Sequence, residues 1–129
     1  MRDLQTHYVR QAGYVSLRCT WSIGCPAELH PARYFRDRPD DPLHPTAMVF
    51  PESFMALFPG EELPETVGTP CCSQFAVSRE RIHMRDREDY IRMRRWLLET
   101  ELDAGITGRI LEYAWHSMLI LILILIGPC

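Results

Sequence analysis

Apolar residues recur along this chain with two periods. Tyr14 to Cys19 alternates with period two and reads as a strand, ended by the turn Gly24-Cys25-Pro26. Before it, Leu4, Tyr8 and Val9 mark a short helical stripe that Gly13 stops. Phe54, Leu57 and Phe58 repeat at i, i+3 and i+4, which predicts a helix over Pro51–Phe58 with Pro59-Gly60 as its stop. Ser73 to Val77 reads as a second strand with Phe75 and Val77 on one face. Ser78 suits the N-cap of a helix over Arg79–Met84, and Glu80 favours its first turn. Asp86 can cap a longer helix reaching about Glu101, whose expected buried face is Tyr90, Met93 and Leu97 with Ile91, Trp96 and Leu98. Gly105 closes it, and a last helix is predicted from Arg109 to about Met118.

Between these elements, Pro26, Pro31, Pro39, Pro42 and Pro45 argue against a long helix or a central strand. Arg33, Arg36, Asp37, Arg38, Asp40 and Asp41 share that stretch, so it reads as a solvated surface loop. Glu61 to Gly68 reads as a linker. The expected fold class is α+β, or partial α/β, with few short strands and three to four helices.

Composition narrows the picture. A chain of 129 residues is one domain's worth. The net charge of −3 argues against a nucleic-acid partner and against a polybasic membrane binder. All 14 basic residues are Arg, so no lysine can serve as nucleophile, Schiff-base former or phosphate-loop cation. The N-terminus has no apolar core of a secretory signal. Met118 to Ile126 is unbroken apolar sequence, but a membrane-spanning helix needs about 20 such residues. Weak membrane association of the 118–126 run is therefore the most it suggests. The compartment stays open.

Candidate chemistry is sparse. Glu112 and His116 stand four apart, on one helix face, where a carboxylate and an imidazole can share a proton, raise the histidine pKa or ligate a metal. Such a pair is also common on ordinary helices. The arginines of the long helix are interleaved with Asp86, Glu88, Asp89, Glu99 and Glu101, which favours a salt-bridged solvated face over a phosphate site. Cys19 and Cys25 could close a small disulfide loop or remain free thiols; Cys71 and Cys72 read as buried thiols before the second strand. No C-x-x-C, glycine-rich dinucleotide loop, phosphate loop or G-x-S-x-G elbow occurs, and no metal site is expected.

Three blocks of sequence carry a resemblance. Tyr8-Val9-Arg10, Gly13 to Cys19, Trp21 and Gly24-Cys25-Pro26 form the first. Val67 to Ile82, including Gln74-Phe75-Ala76-Val77-Ser78-Arg79-Glu80, forms the second. Asp89-Tyr90, Arg95 to Thr100, Gly108-Arg109, Leu111-Glu112-Tyr113 and Trp115-His116 form the third. Together they resemble the fungal domain-of-unknown-function 3431 family. That family is itself distantly similar to the acceptor half of GT-A-type glycosyltransferases. The resemblance implies a general base at Glu112, oriented by His116, with Ser78 and Arg79 lining the site and a carbohydrate as acceptor. It implies a single partial domain over 1–117, followed by an atypical apolar tail over 118–129. On this reading the chain is a truncated glycosyltransferase-like domain, lacking the nucleotide-binding half, whose activity alone is open. The alternatives are a non-catalytic interaction or structural domain, and a redox or metal module built on the cysteines. Cofactor, donor and substrate are not indicated.

Overall fold

The computed structural model describes residues 4–17, 29–37, 44–69 and 73–119. The described elements are six helices and a two-stranded sheet, an α+β fold as expected. Helix α1 (Thr6–Ala12) leads into strand β1 (Tyr14–Ser16). Gly13 makes the corner with φ +81°, where its N–H donates to Val9 O at 2.8 Å. Strand β2 (Phe75–Val77) lies antiparallel to β1, with Tyr14 opposite Val77 and Ser16 opposite Phe75.

Two expectations about proline are corrected. The stretch read as a solvated loop contains helix α2 (Pro31–Asp37), and helix α3 (Pro45–Leu57) starts six residues before the predicted Pro51. Both begin on a proline, whose fixed φ suits the first turn and whose missing N–H is not needed there. Pro51 itself sits inside α3 and is fully buried. Burial of Phe50, Phe54 and Leu57 along the same helix outweighs the backbone hydrogen bond that Pro51 cannot make.

Helix α4 (Arg79–His83) is capped as predicted: Ser78 Oγ accepts from Arg81 N at 3.2 Å. Helix α5 (Arg87–Glu99) follows. Helix α6 (Ala104–Leu119) begins five residues earlier than predicted. Gly105 opens this helix rather than closing the preceding one, because Asp103 Oδ1 accepts its N–H at 2.8 Å.

The core lies between α3 and α6. Phe50, Phe54, Leu57 and Phe58 pack with Ile110, Tyr113, Ala114, Met118 and Leu119. The predicted stripe Phe54, Leu57 and Phe58 is buried throughout. Leu29 and Val67 close one side through paired backbone hydrogen bonds of 3.0 and 2.9 Å. The sheet joins α6 through a row of rings, Tyr14 on Phe75 at 5.3 Å and Phe75 on Trp115 at 5.5 Å. Trp115 Nε1 donates to Ser73 Oγ at 2.6 Å.

The expected apolar face of α5 is only partly used. Met93 is buried, while Leu97 and Leu98 are 43 % and 66 % exposed. No helix among the described residues is long and apolar enough to cross a membrane. Met118 and Leu119 belong to the core, and residues 120–129 lie outside the described residues.

Candidate functional site on helix α6

One face of α6 carries Arg109, Glu112, Tyr113 and His116, spaced to stack along successive turns. Ile110, Ala114 and Met118 turn the opposite way, into the core, and that packing fixes the rotation of the helix. Tyr113 is 3 % exposed and stands edge-on to Phe50, with ring centroids 6.1 Å apart. Its hydroxyl accepts from Arg109 Nη2 at 3.1 Å, and the guanidinium lies over its ring at 5.2 Å. Arg109 Nη1 then donates to Glu112 Oε2 at 2.9 Å. The Glu112 side chain is 11 % exposed. The carboxylate is thus tied to the core through Arg109 and Tyr113.

His116 has a different setting from the one its spacing suggested. It makes no hydrogen bond to Glu112 or to any other described residue. Burial removes water from the imidazole and lowers its pKa from 6.5 to about 4. The shift is opposite to the rise that a paired carboxylate would give. The ring is neutral at neutral pH, able to accept or donate one hydrogen bond. The residue that holds Glu112 is Arg109, one turn earlier. The sequence signal for it is the Arg-x-x-Glu spacing at the start of the predicted helix.

Ser78 and Arg79 follow β2 and have local partners. Ser78 is buried; its N–H donates to Gly13 O at 2.8 Å while its Oγ caps α4. Arg79 is exposed and its Nε donates to His83 Nε2 at 3.4 Å. No hydrogen bond or ion pair joins either residue to Glu112 or His116. Among the described residues no group of three His, Cys, Asp or Glu side chains could hold a metal ion. Cys19 and Cys25, with Cys71, Cys72 and Cys129, lie outside the described residues. A cleft of about 250 Å³ opens at the α5–α6 corner, lined by Leu97, Thr100, Leu102, Ala104, Thr107 and Gly108.

Arg85, in the break between α4 and α5, had only its i+4 spacing to Asp89 as a sequence signal. It is 6 % exposed and donates Nε to Met118 O and Nη2 to Ser117 O, both at 2.9 Å. It also pairs with Asp89 at 3.2 Å and Glu61 at 3.1 Å, and lies over the Phe58 ring at 5.3 Å. This places a buried cation at carbonyls in the last described turn of α6.

No curated protein and no solved structure matches the chain. A family described as protein of unknown function (DUF3431) matches residues 1–121, which takes in every described element, and the chain belongs to that family.

Proposed function

We propose that the chain forms the acceptor side of a glycosyl-transfer domain, with Glu112 as the general base. The observation that supports this reading is the Glu112 carboxylate itself, largely withdrawn from solvent and held at 2.9 Å by an arginine anchored on a buried tyrosine. A general base needs this kind of fixed placement. In the proposed step, Glu112 takes the proton of an acceptor hydroxyl as that oxygen bonds to the anomeric carbon of a nucleotide sugar. The nucleoside diphosphate leaves with the bonding pair. The neutral imidazole of His116 offers a hydrogen bond to a hydroxyl of the acceptor. Arg109, rather than His116, orients the base. The GT-A likeness enters only as analogy, and the site must carry the function.

The test titrates the full chain with simple glycoside acceptors and follows binding by changes in its amide resonances. Saturable changes on α6 that Glu112→Gln weakens by roughly tenfold, with an unchanged unfolding midpoint, are the expected result. Equal binding by the variant, or no binding by the wild type, would sink the reading.

A further inference from the structure

Helix α5 carries more apolar surface than the fold uses. It is a 13-residue helix with Met93 as its one buried residue. Arg87, Tyr90, Ile91, Arg94, Leu97 and Leu98 recur at i, i+3, i+4, i+7, i+10 and i+11, the spacing of a single helix face. Leu97 and Leu98 are exposed, and Tyr90 and Ile91 are half-buried. Tyr90 Oη donates to Ile82 O at 3.0 Å, which sets the 39 % exposed Ile82 beside this face. At its other end the face runs into the cleft of about 250 Å³, of which Leu97 is one wall.

The carboxylates of α5 all lie off this face, as do Arg92 and Arg95. Arg87 and Arg94 lie on this face, both exposed and neither in an ion pair with a described residue. Glu88, Asp89 and Glu99 lie off it, and Asp89 is already engaged by Arg85 and Arg92. The face is therefore apolar with two unneutralised cations.

We propose that this face of α5 docks an acidic amphipathic helix of another protein. Apolar side chains of that helix lie along Leu97 and Leu98, one of them entering the cleft, and its flanking carboxylates meet Arg87 and Arg94. This inference is independent of the acceptor reading on α6. A second copy of this chain fits poorly: a parallel two-fold sets arginines against arginines, and an antiparallel one sets Arg87 against Leu98 and Arg94 against Ile91, so neither offers the arginines a carboxylate on the face. An anionic lipid surface fits poorly too. Two basic residues fall well short of the basic clusters that bind such a surface, and a flat membrane would also meet Glu88, Glu99 and Glu101, which a single helix laid along the face does not.

The experiment uses the full chain and three labelled helical peptides of about 20 residues, long enough to hold a helix. All carry Leu at i, i+3 and i+7; the flanking positions are Glu in one, Gln in the second and Lys in the third. Fluorescence anisotropy should show the Glu peptide binding roughly tenfold tighter than the Lys peptide. Leu98→Asp should weaken it by a similar factor, and Arg87→Glu with Arg94→Glu should reverse the preference toward Lys. Circular dichroism checks that the variants, all at exposed positions, remain folded. Absent or equal binding of the three peptides overturns the proposal. So does binding to phosphatidylserine vesicles without peptide binding, or a doubling of mass that Leu98→Asp abolishes.

Discussion

Replacing Arg85 by Met tests what holds α5 and α6 together. The substitution keeps a long apolar stem over Phe58 and removes every donor. Two hydrogen bonds from a charged donor to the carbonyls of Ser117 and Met118 are lost, each contributing about 1.5–3 kcal/mol. The ion pairs count for less. Glu61 and Asp89 are 40 % and 27 % exposed and regain water, so each adds about 0–1 kcal/mol. Against this, a methionine avoids the desolvation of a guanidinium whose side chain is 4 % exposed. The balance is a loss of about 3 kcal/mol, carried by the two carbonyl hydrogen bonds, since the carboxylates left behind are not buried. Urea unfolding followed by tryptophan fluorescence and circular dichroism reads it directly. With a slope of about 1–2 kcal/mol/M, the midpoint should fall by roughly 2 M. Arg85→Lys keeps one charge but cannot reach two carbonyls and two carboxylates, so it should recover only part of the loss. Moderate salt should leave the difference nearly unchanged, because the guanidinium is buried. A Met variant within about 0.5 kcal/mol of wild type would refute the reasoning, since the desolvation cost would then cancel the bonds.

Gly13→Ala and Gly60→Ala form a matched pair. Both sites have positive φ, which costs a side chain about 1–2 kcal/mol, but a Cβ at Gly13 would also stand 2.7 Å from Arg81 Nε while none is crowded at Gly60. The crowding atom is the far end of a flexible arginine that can swing aside, so thermal unfolding should show similar losses for the two, and a much larger loss at Gly13 would mean that Arg81 is held in place. His116 gives a pH dependence: with its folded pKa near 4 against 6.5 unfolded, the unfolded chain takes the proton first. The neutral ring's contribution is full above about pH 6.5 and is lost as pH falls toward 4, on the order of 3 kcal/mol. The stability of His116→Gln should therefore fall less steeply over that window in urea titrations, and parallel curves would remove the assignment.

Much of the fold was readable because local rules and burial agreed. The stripe of Phe54, Leu57 and Phe58 and the Ser78 cap each had a short-range cause and appear as expected, and the two strands appear where expected but shorter, as Tyr14–Ser16 and Phe75–Val77. The misses came where tertiary contacts reversed a local signal. Pro31 and Pro45 were read as breakers, yet each starts a helix, and Pro51 lies within one because its neighbours are buried. Gly105 was read as a stop, but the carboxylate of Asp103 makes it a start. For the candidate site, sequence spacing put Glu112 and His116 on one face correctly. The Arg109-x-x-Glu112 spacing was also present, but spacing alone does not say which neighbour takes the carboxylate, nor that burial would empty the imidazole of its proton. Arg85 has a local partner in Asp89 at i+4, but the partners that bury it are 24, 32 and 33 residues away, and no local period encodes such reach.

The leftover face of α5 has the same origin. A helix with one buried residue is not held by packing alone. Arg92 Nη2 donates to Leu57 O at 3.2 Å, Asp89 pairs with Arg92 at 2.8 Å, and Arg85 ties Asp89 to the end of α6. These polar ties leave from the side of the helix that faces α3, and they fix its rotation. The ties act together with the packing of Tyr90, Met93 and Trp96 on the core, and in the rotation so fixed Leu97 and Leu98 remain outside. A sequence argument that assigns every apolar position to one buried face would predict the reverse. The ties also make Arg85 the side chain through which docking on α5 would be felt at α6. Its loss should loosen the helix carrying Glu112 while leaving the Leu97–Leu98 surface chemically intact.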